Sequence, residues 1–594
     1  MKTLHIAFAI AALSCAGVVS AGTITVDAGG GGDHTTIQAA IDAAVTGDIV
    51  EIIDSGTYVE GLRIGGQGIT LRSAGAPATV KPTSPYPGGQ PAALWINGLP
   101  EAPTGAPAGN ILVENLILDA GDMSGNNSVV YIDNWSIGST DSPINFAGEV
   151  RLKDCEIMNS GTAGQKWEQS GVFIGTDSVV IENCDIHDCR RGVTGRANGP
   201  GHKGPHVTAN IHIIGGSISS CRQAVFMVPQ EDAAKARGYN ILHDGVTIEF
   251  NDTLGNGGWE GYSAFVNNVD GYDIVDCTYD NNKSSGFGNG AHYFASSTGV
   301  SVTGTTMSNS AQSGSTNGTT ALHLDGCTGS IVSDSQFIDN GEGIRVLNGD
   351  AAISDSCIKL PQGGVACCGG GMGIEARNGA VVTVDHCTIH GENGADNKIT
   401  AQDIRDIATG LLIESGGGTI TATNCIFSGL SLPGAAIGGQ EDNLSISNSD
   451  AYNIGFWWGV MRCYLSGGDL DTAGGYGGAV NDITGNVDGG GNLFCGTEVD
   501  PAYLSTTPGD ADFLSLSCST PASVVTGASD GTFMGAKPIS CDAMITTIID
   551  AVCDQFGSNP PVSLSALRAE ILLIADNLGC SACGSAAAVA MMGN

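Results

Sequence analysis

Basic residues and long apolar runs are both scarce in this chain. Its 594 residues include 23 Lys and Arg against 61 Asp and Glu, which gives a formal net charge of −38 at pH 7. Proteins that bind nucleic acids neutralise phosphates with Lys and Arg, so this balance argues against a nucleic-acid partner. After the N-terminus no stretch approaches the roughly 18 apolar residues of a membrane-spanning helix. We therefore expect no membrane span.

The first 21 residues form a segment of their own. Lys2 precedes an apolar run at residues 4–13, and Val19-Ser20-Ala21 supplies small residues for cleavage. This pattern predicts a secretory signal peptide at residues 1–21, too short to span a membrane. Cys15 leaves a lipoprotein signal as the alternative. We expect a secreted protein, extracellular or at the cell surface.

One short phrase recurs between residues 154 and 428: an apolar strand, a small or polar residue, Cys or its equivalent, one further residue and a large apolar residue. The closing apolar residue advances from Ile157 to Phe427 in nine steps over 270 residues (427 − 157), or 30 per step. The closing residues between them are Ile186, Ile218, Ile248, Tyr279, Met307, Phe337, Ile358 and Ile389. Because the apolar stretches are short, alternate with polar residues and are separated by glycine turns, this period predicts an all-β fold, a parallel β-helix with about three strands per coil.

The cysteines divide into two groups by context. Five occupy the repeat position, where inward-facing thiols of successive coils are expected to stack as a buried ladder: Cys155, Cys184, Cys277, Cys387 and Cys425. Four lie near the C-terminus in a helical context: Cys541, Cys553, Cys580 and Cys583. For an exported protein we expect structural disulfides there rather than a metal site.

A short amphipathic helix is predicted after the signal segment. Residues 35–38 read as a Thr-x-x-Gln capping box, and Ile37, Ala40, Ile41 and Ala44 share one helical face. We expect this helix to close the N-terminal end of the solenoid. The segment resembles the N-terminal cap of right-handed β-helix proteins related to pectin lyases and pectin esterases, through Thr36-Ile37-Gln38, Ala40-Ile41, Gly47-Asp48, Gly56-Thr57-Tyr58 and Glu60. The resemblance implies a right-handed parallel β-helix of the pectin lyase-like superfamily, and it carries no catalytic residue.

A second resemblance marks the other end of the solenoid. Residues 500–503, 511–516 and 519–522, together with Gly535-Ala536, resemble the closing pattern of secreted bacterial β-helix proteins, with Tyr503 in place of the usual Phe. We therefore place the β-helix domain at residues 22–538. Two apolar-faced helical stretches at 544–552 and 564–578 then predict a small, Cys-containing helical module at residues 539–594.

Cations concentrate in one part of this acidic chain. Residues 187–237 hold seven of the 23 basic residues and four of the 11 histidines. The loop that begins at Arg190 breaks the repeat with Gly and Pro, so it is expected to project from the rod as a side loop. A positive patch of this kind suits an acidic polysaccharide, whose carboxylates pair well with Arg. The substrate-binding candidates are Arg190, Arg191, His206, Arg222 and Lys235.

The resemblance to the superfamily implies three chemistries. In a lyase, Arg196, His202 or Lys203 would remove the proton next to a uronate carboxylate, so these three are the catalytic candidates. A hydrolase needs two carboxylates flanking the bond, but the galacturonase-like motifs are missing and no Asp-Asp pair occurs. The central aspartate motifs of the esterases are missing too. Lyase or epimerase chemistry remains, by elimination.

Three further features have plain structural interpretations. Trp457 and Trp458, in the aromatic run at residues 456–458, could stack on sugar rings or could form a local core. A cluster that begins at His386 and His390 lacks the spacing of a metal site and is more typical of a solvated loop. Turn aspartates could hold calcium at Asp325, Asp339 and Asp350, but the glycine-rich calcium repeat is absent, so no cofactor is expected.

Two functional hypotheses follow. The first is a secreted enzyme that acts on a polysaccharide, in particular a lyase of acidic glycans. The second is a non-catalytic scaffold that binds or adheres outside the cell, since the fold serves both purposes. In either case we expect a monomer.

Overall fold

The computed structural model describes residues 21–537, with gaps, and residues 564–577. The gaps are residues 66, 89–91, 98–108, 122, 124–127, 134–147, 161–168, 177, 196–208, 229–237, 252–261, 285–290, 313–318, 362–370, 392–407, 415, 431, 437–442, 453–455, 458–459, 462–499, 518, 526 and 531.

Three long parallel sheets, here named A, B and C, wind around a common apolar core. Each coil contributes one strand to sheet A, then one to B, then one to C, and every strand pairs with its counterparts in the neighbouring coils. Sheet A has 15 strands: Thr23–Val26, Ile49–Ile52, Thr70–Ser73, Ile111–Glu114, Val150–Lys153, Val179–Glu182, Ala209–Ile214, Gly238–Asp244, Val269–Val275, Thr298–Thr303, Ser330–Ser333, Asp350–Ser354, Ala380–Asp385, Gly418–Thr423 and Leu444–Ser447. Sheet B has 14: Thr57–Tyr58, Ala78–Val80, Leu116–Asp119, Glu156–Met158, Asp185–His187, Ser217–Ser219, Thr247–Glu249, Thr278–Asp280, Thr306–Ser308, Gln336–Ile338, Cys357–Lys359, Thr388–His390, Ile426–Ser428 and Asp450–Tyr452.

Sheet C has 13 strands: Leu62–Gly65, Ala92–Asn97, Ser128–Asp133, Ser170–Gly175, Arg191–Gly195, Gln223–Met227, Ala264–Asn267, His292–Ala295, Thr320–Asp325, Glu342–Leu347, Met372–Arg377, Thr409–Ile413 and Leu432–Ala436. Two small pairs complete the strands: Lys283–Ser284 with Ala311–Gln312, and Phe456–Trp457 with Val460–Met461. The fold is an all-β parallel β-helix, as the sequence predicts.

The predicted pairing of the closing residues is confirmed at every step, although single steps range from 21 residues (358 − 337) to 38 (427 − 389) around the mean of 30. Ile157 pairs with Ile186 in sheet B, and the pairing continues through each closing residue to Ile389 with Phe427. These side chains are buried in the core. An in-register stack places like residues above one another, so each coil buries its apolar face against the next.

The corner between sheets A and B explains the small or polar residue of the repeat. In twelve successive coils, from Asn115 to Asn448, the residue at this corner has a positive φ of 48–63°. Nine of these residues are Asn, Asp or His, and three are glycines, because few other residues adopt this backbone conformation without strain. The next residue points inward. Cys155, Cys184, Cys277, Cys387 and Cys425 occupy this position, and all five are free and buried, which confirms the ladder.

A polar cluster interrupts the apolar core near its middle. The His243 ring lies between two phenols, with its Nδ1 2.9 Å from Tyr279 Oη and its Nε2 2.9 Å from Tyr272 Oη. His292 lies edge-on to the Tyr279 ring at a centroid distance of 4.5 Å, and neither of its ring nitrogens has a hydrogen-bond partner among the described residues. Burial lowers the pKa of both histidines to about 3, and for His292 the charge of His243 adds to the effect. Both imidazoles are therefore neutral.

The N-terminal cap forms as expected, but its capping box does not. Helix α1, Ile37–Ala43, buries Ile37, Ala40 and Ile41 against the first coil, and its N-cap is Thr36, whose side chain makes no capping bond. Instead the Glu60 carboxylate accepts the N–H groups of Ile37 at 2.7 Å and Gln38 at 3.0 Å. The prediction of a Thr35–Gln38 box is wrong because a residue from the next turn of chain supplies the acceptor, and Gln38 bonds to Asp42 and to the backbone of Arg63.

The described residues between 501 and 537 pack on the outer face of sheet B at its C-terminal end. Phe513 and Leu514 cover Cys357 and Ile338, while Leu516, Val524 and Met534 cover Ile426. Helix α2, Ala522–Val525, lies in this segment. Gly535 has a φ of +89°, and a Cβ there would meet Ile426 Cδ1 at 2.7 Å.

Helix α3, Leu564–Asn577, is the one helix described beyond residue 537. The four cysteines expected to form disulfides lie outside the described residues. No helix within the described part of the chain is long and apolar enough to cross a membrane.

Candidate functional site

Most of the predicted site residues lie outside the described part of the chain. This holds for Arg196, His202, Lys203, His206, Lys235 and Trp458. Trp457 belongs to the short antiparallel pair of strands. Arg222 is described and half-buried, and its N–H donates to the carbonyl of Cys189 at 3.2 Å.

Arg190 and Arg191 are in the body of the solenoid and not on a projecting loop. Arg191 begins a strand of sheet C, and both residues are 2% exposed. Arg190 Nη1 donates to Gln169 Oε1 at 2.7 Å, and Arg191 Nε donates to Gln223 Oε1 at 2.9 Å. The Arg191 guanidinium also lies 4.3 Å from the centroid of the Phe226 ring. The expected side loop can therefore begin only after this strand, at residue 196, because the repeat continues through residue 195.

The outer face of sheet C carries the most distinctive row of side chains in the described structure. In each strand of this sheet the residue between two core residues points outward, as Arg63 does between Leu62 and Ile64. Strand pairing aligns twelve such residues in successive coils. This outer row consists of Arg63, Trp95, Tyr131, Phe173, Thr194, Phe226, Phe265, Tyr293, His323, Arg345, Glu375 and Leu412.

The first part of the outer row is aromatic. The Arg63 guanidinium lies 4.9 Å from the Trp95 ring centroid, and Tyr131 stacks on Phe173 at 4.4 Å with the planes 15° apart. After Thr194 the stacking resumes: Phe265 lies 5.5 Å from Tyr293 at 9°. Parallel rings at these distances are a favourable packing arrangement in their own right. Trp95, Tyr131, Phe173, Phe226 and Phe265 are all buried.

The second part of the outer row is ionic. Arg345 contacts two carboxylates: Nη2 lies 2.6 Å from Glu342 Oε2, and Nε lies 2.6 Å from Glu375 Oε2. Arg377 then bonds Glu375 at 2.5 Å and Glu414 at 3.0 Å. Glu375 is fully buried and Glu342 is 2% exposed. Charges removed from water to this degree persist only when they are paired and hydrogen-bonded.

The two buried carboxyl groups have opposite pKa shifts. Burial, and the negative charge of Glu375, raise the pKa of Glu342 well above its usual range. Burial acts on Glu375 too, but the charges of Arg345 and Arg377 outweigh it and lower the pKa of Glu375. Divergent pKa values in one contact pair are typical of acid–base sites, although structural ion pairs show them as well.

His323 stands between the aromatic and the ionic parts of the row. Its ring lies edge-on to Tyr293 at a centroid distance of 4.7 Å. It is 6% exposed, and within the described structure neither ring nitrogen has a hydrogen-bond partner. Burial lowers the pKa of His323 well below its usual range, and the charges of Arg345 and Arg377 lower it further. A neutral imidazole with both nitrogens unsatisfied is ready to accept or donate a hydrogen bond to a ligand.

A rim of partly exposed groups borders His323. Tyr293 Oη donates to Asp325 Oδ2 at 2.8 Å, and the Tyr262 ring stacks on Tyr293 at 4.5 Å. Burial raises the pKa of Tyr293, as does its bond to Asp325. Tyr262, Tyr293, Asp325 and Arg377 are only half-buried, so they mark the edge at which this site meets solvent.

His386 and His390 help to hold the C-terminal segment, which includes Tyr503 and Thr532, against the solenoid. His386 Nε2 lies 3.0 Å from Thr532 Oγ1, and His390 Nδ1 lies 2.9 Å from Ser428 Oγ, which also bonds Tyr503. The turn aspartates considered for calcium have partners: Asp325 binds Tyr293, Asp339 binds Lys359, and Asp350 accepts the N–H of Gly329. Among the described residues no three His, Cys, Asp or Glu side chains group as metal ligands do.

Sequence reasoning missed the outer row. The signal was available in the register: once coils are aligned, the middle residues of the strands at 92–97, 128–133, 170–175 and 292–295 are aromatic and fall in one column. Basic residues that cluster along the chain are a weaker guide to a site, because residues about 30 apart are neighbours in this fold.

No protein-family model matches the chain, and no curated protein matches it significantly. Among solved structures, an alginate lyase from Paenibacillus sp. str. FPU-7 is 13% identical with a TM-score of 0.26, over 62% of this chain and 95% of that one. The N-terminal fragment of the bacteriophage Phi29 gene product 12 is 12% identical with a TM-score of 0.43, over 73% and 72%. The Agl-KA catalytic domain is 14% identical with a TM-score of 0.32, over 72% and 64%. This chain thus spans less than two thirds of the Agl-KA catalytic domain, and similarities at this level carry no argument about activity.

Proposed function

We propose that the protein is a secreted, polysaccharide-active β-helix protein of the pectin lyase-like superfamily, and that its site is the outer face of sheet C around His323. The observation that carries this proposal is His323 itself: a neutral imidazole with two unpartnered nitrogens among the described residues, between stacked tyrosines and a buried ionic chain. Sites that bind sugars combine aromatic faces, on which the sugar rings stack, with polar groups that can donate or accept protons.

The reaction we propose is β-elimination on a uronic-acid glycan. A lyase needs a base for the proton next to the carboxylate, an acid for the leaving oxygen and a cation near the carboxylate. His323 is the base and Arg345 is the cation. Tyr293 is the acid, because its raised pKa keeps the phenol protonated and so able to supply a proton to the leaving oxygen. A depressed pKa makes His323 a weak base in the free protein, but a bound anionic substrate would raise that pKa.

Glycoside hydrolysis fits the same residues less well. The two carboxyl groups of a glycosidase flank the sugar and stand roughly 5–9.5 Å apart. Glu342 and Glu375 instead both contact the guanidinium of Arg345, so no sugar ring fits between them.

The basic segments remain part of the proposal as binding elements. Residues 196–208 follow the strand Arg191–Gly195 directly, and residues 229–237 follow the paired strand Gln223–Met227 after Val228, at the same end of sheet C. Arg196, His202, Lys203, His206 and Lys235 would then supply positive charge at that end of the outer row, and Arg222, which precedes the strand Gln223–Met227, would supply it at the other end. We also propose that residues 1–21 are a signal peptide, that the β-helix domain spans residues 22–538, that residues 539–594 form a separate helical module, and that the protein is monomeric.

The experiment is a screen of pectate, alginate and glycosaminoglycans, followed by the absorbance of the unsaturated product. His323→Ala should abolish the activity found, whereas His34→Ala, which removes a half-buried histidine beside the N-terminal cap, should retain it. Equal activity of the two variants would refute the assignment of His323.

A non-catalytic scaffold is the second candidate, and the burial of the aromatic part of the outer row favours it. If the protein is such a scaffold, none of the screened glycans yields an unsaturated product, and His323→Ala changes the affinity for a glycan without any effect on catalysis.

A further inference from the structure

Phe250 occupies a backbone position that the neighbouring coils give to short polar residues. At the corner between sheets B and C, seven successive coils each place a residue with a positive φ of 50–63°. The other six residues at this corner are Asn159, Asp188, Ser220, Asn281, Asn309 and Asp339. Short polar side chains adopt the left-handed conformation with the least strain, because they can hydrogen-bond locally. Phe250 has a φ of +54°, and a phenyl ring cannot form such a bond.

The polar corner residues use their side chains to bind other coils. Asn309 Nδ2 donates to Asp280 Oδ1 at 2.7 Å, and Asn159 Nδ2 donates to Asp119 Oδ1 at 3.0 Å. These bonds stabilise the contact between successive coils and offset part of the backbone strain. At Phe250 the strain is present and a bond of this kind is not.

Packing does not offset the strain at Phe250 either. Among the described residues, two large apolar side chains have a positive φ, Phe250 and Leu514. Leu514 is fully buried in a cluster with Cys357 and Ile338. Phe250 is instead 56% exposed. Single exposed apolar residues are common on protein surfaces, but one that is also strained lowers stability without a packing gain, and strain of this kind is typical of functional positions.

The surface beside Phe250 is polar and acidic. Strand pairing on the outer face of sheet B places Glu249 between Ser219 and Asp280, and Phe250 follows Glu249 directly. These three polar residues are half-buried. An aromatic face bordered by hydroxyl and carboxylate groups can stack on a sugar ring and hydrogen-bond its hydroxyls. Because the charged neighbours are both carboxylates, they would repel a uronate, so this surface suits a neutral sugar.

We propose that Phe250 is the stacking platform of a second carbohydrate subsite, which binds a neutral β-linked glucose unit. Every ring hydroxyl of β-linked glucose is equatorial, so axial C–H groups form the faces of the sugar ring and can pack flat on the phenyl ring. The subsite lies at the corner between sheets B and C, and its ligand differs from the uronate proposed for the outer row. It therefore goes beyond the proposed function and does not depend on a reaction at His323.

The test measures stability and binding in the same full-length variants. Phe250→Asn introduces the residue that three equivalent coils already carry. It should raise the urea midpoint of unfolding, because it relieves the strain. It should also lower the affinity for cellohexaose by about tenfold in isothermal titration calorimetry, because it removes the aromatic face. Phe250→Tyr is the matched control, since it retains the ring and the strain and should keep the wild-type affinity and midpoint.

A gain of stability combined with a loss of affinity in Phe250→Asn is the result expected. Three results would overturn the subsite: no binding of cellohexaose by the wild type, full affinity in Phe250→Asn, or a Phe250→Asn protein that is no more stable than the wild type. His323→Ala should bind cellohexaose as the wild type does, and a loss of affinity there would place the neutral sugar on the outer row instead. A negative lyase screen changes none of these expectations, so the subsite and the proposed function can fail separately.

Discussion

Replacing His292 by Leu should stabilise the protein and flatten its response to acid. His292 is 1% exposed, and neither ring nitrogen has a partner among the described residues. Its neighbour in the next coil is Leu322, so a leucine at 292 would extend an existing apolar stack. A buried polar group without a partner destabilises the folded state by about 1–3 kcal/mol. We therefore expect the free energy of unfolding at pH 7 to rise by a similar amount.

The pH dependence follows from the two protonation states. His292 titrates at about 3 in the folded protein and near 6.5 when unfolded. As the pH falls, the unfolded chain binds the proton before the folded protein does. The contribution of His292 to the free energy of unfolding is therefore complete above pH 6.5 and decreases as the pH drops from 6.5 towards 3. Between pH 7 and pH 5 this single group accounts for a loss of about 2 kcal/mol. His243, whose pKa is also lowered to about 3, stays in the variant, so part of the acid response remains.

Urea denaturation at pH 7 and pH 5 provides the measurement. The difference in unfolding free energy between the two pH values should be about 2 kcal/mol smaller for His292→Leu than for the wild type. His212 is half-buried on the outer face of sheet A, and His212→Leu serves as the control because it leaves the buried His292 in place. The reasoning is refuted if His292→Leu is less stable than the wild type at pH 7, or if both proteins lose the same free energy at pH 5.

Three further results are expected. Glu60→Ala removes the acceptor of two N–H groups at the start of α1 and should lower the free energy of unfolding by about 1–2 kcal/mol in urea titrations, with Glu60→Gln in between. Cys277, whose pKa burial raises to about 11, should react with thiol reagents only after unfolding; rapid labelling of the folded protein would contradict the inward ladder. Gly535→Ala places a methyl group against Ile426 at a positive φ and should loosen residues 501–537, so Cys357 should label faster than in the wild type while Cys277 does not.

The fold was predictable because its main signal is a period. The spacing of the closing residues Ile157 to Phe427 indicates the sheet B register, and the cysteine positions indicate the inward ladder. Both follow from local sequence, since each coil repeats the same alternation of inward and outward residues. The capping of α1 was not predictable in this way, because its acceptor is Glu60, which arrives from 22 to 23 residues away in the chain.

The site was less accessible to sequence reasoning. Arg345 and Glu375 are 30 residues apart in the chain and come into contact only because successive coils stack. The sequence around Arg191 predicts a loop, although Arg191 begins a strand. Neither the burial of Glu342 nor the unpartnered nitrogens of His323 can be derived from residue types, because both depend on how side chains of successive coils pack.

The one-residue-per-coil outer row also limits how such a protein can change in evolution. Any two members of the row are separated by a whole number of coils, each about 4.8 Å high. An insertion or deletion within a strand would turn core residues outward, so the separation between His323 and the aromatic rings can change only by gain or loss of a complete coil of roughly 30 residues. The length of the outer row therefore changes only in steps of one coil, and β-helix proteins with a longer or shorter row of this kind should differ by complete coils.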